Sequence, residues 1–175
     1  PEPQHIFSIM IEEGILDEVF PPIEIEGLSK VITAEKKYSV SPSHLVRLFS
    51  LNKSIGKKWA HYVSLTSNEA KILEFIKESL AHYKELKTVA YKFGRGVAEG
   101  WLLNFHDGSF DVIPGKISEI INTGCNAFFP ISGVDLLEEM EEGPELGRQM
   151  ERLEKLWIKS GFKMSKEELL SKSKS

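Results

Sequence analysis

The stretch Glu145-Leu146-Gly147-Arg148-Gln149-Met150-Glu151-Arg152-Leu153-Glu154-Lys155-Leu156-Trp157-Ile158-Lys159-Ser160 decides the class of fold. Projected at about 100° per residue, Leu146, Met150, Leu153 and Trp157 fall within about 60° of one another, as in a helix that buries one stripe. Arg148, Arg152, Lys155 and Lys159 gather on nearly the opposite side, with Glu145, Glu151 and Glu154 on the flanks. The outward ridge therefore reads as purely basic. Like charges at i,i+4 cost a helix roughly 0.2–0.5 kcal/mol a pair, so an unmixed row of cations suits a phosphate backbone better than plain solvent. Gly143-Pro144 opens the helix with proline at its first position, where unsatisfied N–H groups can also hold a phosphate. The run Glu138-Glu139-Met140-Glu141-Glu142 just upstream would repel one, which moves the expected grip to the middle and far end of the ridge.

Outward from this helix the pattern stays helical. Period-2 alternation is nearly absent, apart from Ile23-Glu24-Ile25 after Pro21-Pro22. Ser41-Pro42 predicts an N-cap and first helical turn leading into Leu45, Leu48 and Phe49. Thr66-Ser67-Asn68-Glu69 reads as a capping box opening a helix with Ala70, Leu73, Ile76 and Leu80 inward, and Ser165 with Glu168 repeats the arrangement. Gly14, Gly94, Gly108, Gly124 and Gly161 are expected at helix ends. The fold class is thus all-α, a bundle of about ten short helices with no sheet. Two subdomains are expected, 1–110 and 111–170, with a junction around Asn122-Thr123-Gly124-Cys125-Asn126. Residues 171–175 lack apolar anchors and are expected to fray.

The bulk numbers bound the reading. The chain has 175 residues, 41% hydrophobic and 27% charged, enough for one sizeable core or two small ones. No apolar run approaches the roughly 18–20 residues of a membrane span. A lone cysteine, Cys125, excludes an internal disulfide and fits a reducing compartment. The start, Pro1-Glu2-Pro3-Gln4, has neither an initiator Met nor the regions of a signal peptide, which suggests a fragment of a longer protein. Net charge is −4, but unevenly spread: residues 51–95 carry 9 Lys+Arg against 4 Asp+Glu, and residues 146–175 carry 8 against 4. An acidic protein with two basic blocks can still present a positive surface to a polyanion.

The second basic block places Lys84, Lys87, Lys92 and Arg95 among Tyr83, Tyr91 and Phe93. Aromatic rings among cations can stack bases or riboses, although Tyr91 and Phe93 also fit a core. Lys53, Lys57 and Lys58 form a weaker third patch beside Trp59.

Further motifs point to a family. Residues 127–170 combine Pro130-Ile131-Ser132-Gly133-Val134-Asp135-Leu136-Leu137, the turn Gly143-Pro144-Glu145-Leu146-Gly147, a helix with Trp157-Ile158, and a closing Gly161-Phe162 before Glu167-Glu168-Leu169-Leu170. In this order they resemble the C-terminal end of bacterial class II tRNA nucleotidyltransferases (CCA-adding enzymes) and their poly(A) polymerase relatives. Gly14-Ile15-Leu16 through Pro21, Leu65-Thr66-Ser67-Asn68-Glu69 and Val89 to Arg95 look similar to upstream segments of that family. The resemblance implies an all-α neck, body and tail that hold the acceptor and T-arm side of tRNA in the cytoplasm. It also implies a separate N-terminal catalytic head that adds CMP and AMP from CTP and ATP with Mg²⁺. No head motif occurs here, so this chain is expected to hold no cofactor and to be inactive alone, a partner to tRNA or other RNA and to its own head.

On this reading the RNA-binding residues are Arg148, Arg152, Lys155, Lys159, Lys84, Lys87, Tyr91, Lys92 and Arg95. The compact C-terminus favours the tRNA enzyme over the poly(A) polymerase, and a helical interaction or dimerisation module, with an oligomer, is the alternative from another class. Other chemistry falls away. Asp107 and Asp111 sit in a Gly-containing turn without a third partner. His5, His44, His61, His82 and His106 include no i,i+4 pair and no zinc spacing. Cys125 has no base in its own segment, and Gly94-Arg95-Gly96 with Gly100 reads as helix punctuation.

Overall fold

A computed structural model describes residues 4–105, 113–137 and 143–173. Nine α-helices run through them: α1 (Gln4–Glu12), α2 (Ile25–Tyr38), α3 (His44–Leu51), α4 (Ser67–His82), α5 (Leu86–Phe93), α6 (Arg95–Asn104), α7 (Ile117–Cys125), α8 (Pro144–Lys159) and α9 (Lys166–Ser173). Short 3-10 turns lie at Gly56–His61, Pro114–Lys116 and Gly133–Leu136, and no strand occurs among the described residues. The protein is all-α, as the periodicity predicts. None of these helices is long and apolar enough to cross a membrane.

The chain divides into two compact units, 1–125 and 126–175. The boundary thus falls after α7 rather than at residue 110, because Ile117 and Ile121 of α7 belong to the first unit's core. Asn122 to Cys125, expected in a junction loop, are the last turn of that helix.

In the first unit α6 is the central rod. Its sequence is apolar nearly all round, and Val97, Ala98, Trp101, Leu102 and Leu103 are all buried, as a helix surrounded by others requires. Around it α2, α3, α4, α5 and α7 supply Leu28, Phe49, Leu73, Ile76, Val89 and Ile121 to the same core. Gly94 takes φ 81°, which lets it end α5 and begin α6 without a turn between them. Gly124 stands one residue before the end of α7. It lies inside α7, where an added Cβ would sit 2.4 Å from the Lys87 carbonyl oxygen, so its missing side chain lets α7 approach α5. Between α2 and α3, buried Glu35 accepts from the Arg47 guanidinium, from Nε shared between its two oxygens at 3.1 and 3.3 Å and from Nη2 at 2.6 Å.

The capping box at Thr66 forms in full: Glu69 N donates to Thr66 Oγ1 at 3.2 Å and Thr66 N donates to Glu69 Oε2 at 2.8 Å. That at Ser165 and Glu168 forms likewise. Ser41-Pro42 is not a helix start. Ser43 stands at the N-cap and α3 begins at His44. Ile23-Glu24-Ile25 leads into α2 rather than pairing as a strand.

The second unit buries Ile131, Leu136, Leu153, Trp157 and Leu169. Trp157 stands between Phe129, at 5.6 Å centroid distance, and Phe162, at 4.8 Å. Ser132 and Asp135 cap the turn Gly133–Leu136, and Lys166 Nζ donates to the other Asp135 oxygen at 2.6 Å. Residues 171–173, expected to fray, continue α9. Their anchors are polar: Gln149 Nε2 donates to Ser173 O at 3.0 Å and the Arg152 guanidinium donates to Lys172 O.

Candidate nucleic-acid interface

Helix α8 follows the predicted wheel. Leu153 and Trp157 are buried, Leu146 and Met150 are half-buried, and Arg148, Arg152, Lys155 and Lys159 are exposed. Pro144 occupies the first turn as expected. From Arg148 to Lys159 the helix rises about 16 Å, at 1.5 Å per residue. The ridge is less purely basic than its projection. Arg148 pairs with Glu145 one turn earlier, and Lys155 with Glu151 at 2.8 Å, both pairs well exposed. Such surface pairs are worth about 0–1 kcal/mol, so either cation can exchange its carboxylate for a phosphate oxygen. Arg152 has a different task, donating to Gln149 Oε1 at 3.0 Å and to the Lys172 carbonyl oxygen in the last turn of α9. A cation at a helix C-terminus also meets the negative end of the helix dipole. Lys159, at the C-terminal end of α8, has no ion-pair partner among the described residues. The acidic run Glu138 to Glu142 lies outside the described residues.

In the first unit the second basic block does not form one face. Lys84 is exposed between α4 and α5, while Lys87 and Tyr91 are half-buried. Lys92 is exposed, about 140° around α5 from Lys87, with its Nζ 5.4 Å from the Tyr91 ring centroid. Arg95, at the start of α6, donates to Glu99 Oε1 at 3.0 Å and to Asn122 Oδ1. Phe93 lies 5.3 Å from Phe75, tilted, and 5.5 Å from Tyr83, edge to face, so these rings pack against one another and against the core. Trp59 is wholly buried and cannot stack on a base from the Lys53, Lys57 and Lys58 patch. Lys53 Nζ donates to Asn104 O at 2.8 Å, at the end of α6, and desolvation holds its ammonium below the ordinary lysine pKa.

Among the described residues no three His, Cys, Asp or Glu side chains gather as a metal site would require. Asp107, Asp111 and His106 lie outside the described residues. Cys125 Sγ is 3.7 Å from Ala90 O. Gly96 and Gly100 are interior residues of α6 rather than a nucleotide loop. The sequence reading missed the Asp135–Lys166 and Glu35–Arg47 pairs, whose members stand 31 and 12 residues apart in the chain. Compared with family models, curated proteins and solved structures, this chain matches none.

Proposed function

We propose that this chain is the RNA-gripping C-terminal portion of a tRNA nucleotidyltransferase, which holds tRNA so that its 3′ end reaches a catalytic head elsewhere in the parent protein. The observation that carries the reading is α8, a 16-residue helix whose Arg148, Lys155 and Lys159 stand exposed on one face over about three turns. The motifs of residues 127–170 and the all-α fold support the same reading. A-form RNA offers phosphates and 2′-hydroxyls rather than readable base edges, so the grip is electrostatic and led by shape. Exchange of Glu145 and Glu151 for phosphate oxygens supplies the contacts at little cost, since exposed pairs are weak. CTP, ATP and Mg²⁺ belong, on this reading, to the head, and the chain alone transfers no nucleotide.

The test replaces Arg148, Lys155 and Lys159 with glutamine and leaves Arg152, because removing Arg152 would also free the end of α9. Binding to tRNA lacking its CCA end is expected to weaken about ten- to a hundredfold near physiological salt, since each lost phosphate contact also lowers the salt slope by about one. Unchanged affinity would remove α8 from the interface. The second reading, a helical interaction or dimerisation module, is favoured by one observation: Ile6, Ile9, Ile15 and Val19 are exposed, at 61%, 46%, 52% and 59%. Indifference to RNA together with an elution volume that depends on concentration would select it.

A further inference from the structure

Where α6 ends, a cleft of about 370 Å³ opens between it, α3 and α4, lined by Phe49, Lys53, Lys77, Leu80, Ala81 and Asn104. That volume lies within the range of small-ligand sites. Lys77, Leu80 and Ala81 stand three and four residues apart on α4 and so share one of its faces. Phe49, Leu80 and Ala81 make an apolar wall, two ammonium groups stand beside it, and no carboxylate among the described residues lines the cleft. Lys77 is half-buried, and its side chain has no ion pair or hydrogen bond among the described residues. Lys53 Nζ donates only to a neutral group, the Asn104 main-chain oxygen, at 2.8 Å. Desolvation, and after it the charge of Lys30, hold that ammonium below the ordinary lysine range, against the pull of Glu24. Asn104 adds an independent observation. It is 4% exposed, and its Oδ1 is buried without a hydrogen-bond partner. The amide cannot be turned round, because its Nδ2 donates to Gly100 O at 2.9 Å. One end of the cleft thus holds ammonium groups without a counter-charge and an amide oxygen without a donor, both costly to leave unsatisfied.

We propose that this cleft binds a small organic acid that carries an apolar body and a hydroxyl or N–H beside its carboxylate. The carboxylate lies between Lys53 and Lys77, which gain the counter-charge they lack. The apolar body covers the wall formed by Phe49, Leu80 and Ala81. The hydroxyl or N–H supplies the donor for Asn104 Oδ1 as the Lys53 ammonium moves from the main-chain oxygen toward the carboxylate. A bare inorganic anion leaves the apolar wall and Asn104 unused, and a neutral amphiphile leaves both ammonium groups unused, so neither fits as well. The cleft belongs to the first unit and α8 to the second, so the acid site and the RNA grip stand or fall separately.

The test titrates the isotope-labelled full chain with α-hydroxyhexanoate, hexanoate, lactate and hexanol in turn, at equal ionic strength, reading the Asn104 side-chain amide and the Ala81 backbone amide. Saturable shifts with α-hydroxyhexanoate are expected. Hexanoate should bind about fivefold more weakly, for one lost neutral hydrogen bond, and lactate about tenfold more weakly, for its missing methylenes. Hexanol should not saturate. Lys77→Gln should weaken binding about tenfold, for one charge-assisted bond, and Ala81→Glu should abolish it by placing a carboxylate at the lining. Both positions lie outside the buried core, so native spectra are expected to persist in the variants. Shifts that merely follow ionic strength, hexanol binding as tightly as the acids, or parent affinity in both variants would overturn the site. Hexanoate binding as tightly as its α-hydroxy form would overturn the part given to Asn104. If tRNA binds while no acid saturates these amides, the cleft is excluded and the RNA reading stands. If the acid saturates but tRNA does not bind at all, the reverse holds.

Discussion

At Gly124 a hydrogen in place of a side chain sets the distance between two helices. An added methyl would meet the Lys87 carbonyl oxygen at 2.4 Å and the Ala90 Cβ at 2.7 Å, and the first of these is backbone that cannot swing away. Gly124→Ala should therefore destabilise the first unit by about 1–3 kcal/mol through overpacking, measured as a lower urea midpoint with an unchanged m-value. A midpoint equal to that of the parent would mean that α5 and α7 have room to separate. In the sequence Gly124 looked like any other helix-ending glycine. The cue that tells them apart is its neighbours: Ile117 and Ile121 precede it at helical spacing, so it continues the buried stripe instead of closing it. Glu35 shows the opposite limit. Lone charges on an amphipathic helix read as solvent-facing, and only the tertiary fold brings Arg47 to it.

At the level of elements, helix starts with a local hydrogen-bonding signature were legible and those without one were not. Thr66–Glu69 and Ser165–Glu168 carry both partners of a capping box within four residues, so the sequence holds the whole device. Ser41-Pro42 carries only a preference, and the helix begins two residues later than it suggests, at His44. The wheel of α8 found its buried stripe but gave its outer face too simple a charge. It set Glu145 and Glu151 on the flanks without pairing them with Arg148 and Lys155, which stand one turn later and reach them. The cap at Asp135 makes a testable element of its own. A hydrogen bond from Lys166, then those from Ser132, hold the Asp135 carboxyl well below its ordinary 3.8, at about 2. A depressed folded-state pKa gives stability that is present above the unfolded value and is lost as pH falls toward the folded one. Unfolding of the second unit, followed at the Trp157 indole resonance, should thus become easier between pH 3.8 and about 2. Asp135→Asn should flatten that dependence, and an identical acid profile in the variant would detach the cap from the unit's stability.

For the whole molecule, composition and periodicity were enough for an all-α chain in two units, because apolar stripes at helical spacing recur throughout. The position of the boundary was harder. It depends on which core receives α7, and that is decided by Ile117 and Ile121 packing with Val89 and Ala90 rather than by any loop composition. Charge blocks located the cations but not their duties: Arg152 closes α9, Lys53 caps α6, and Lys159 at the end of α8 stays available. On the proposed function this chain grips a folded RNA by its phosphates. The most direct test is fluorescence-anisotropy binding of the 175-residue chain to tRNA lacking its CCA end across a salt series. The account predicts a linear fall of log affinity with log salt, with a slope magnitude of about 3 or more, and weaker binding to single-stranded RNA of equal length. No binding at low salt, or equal affinity for the single strand, would contradict it.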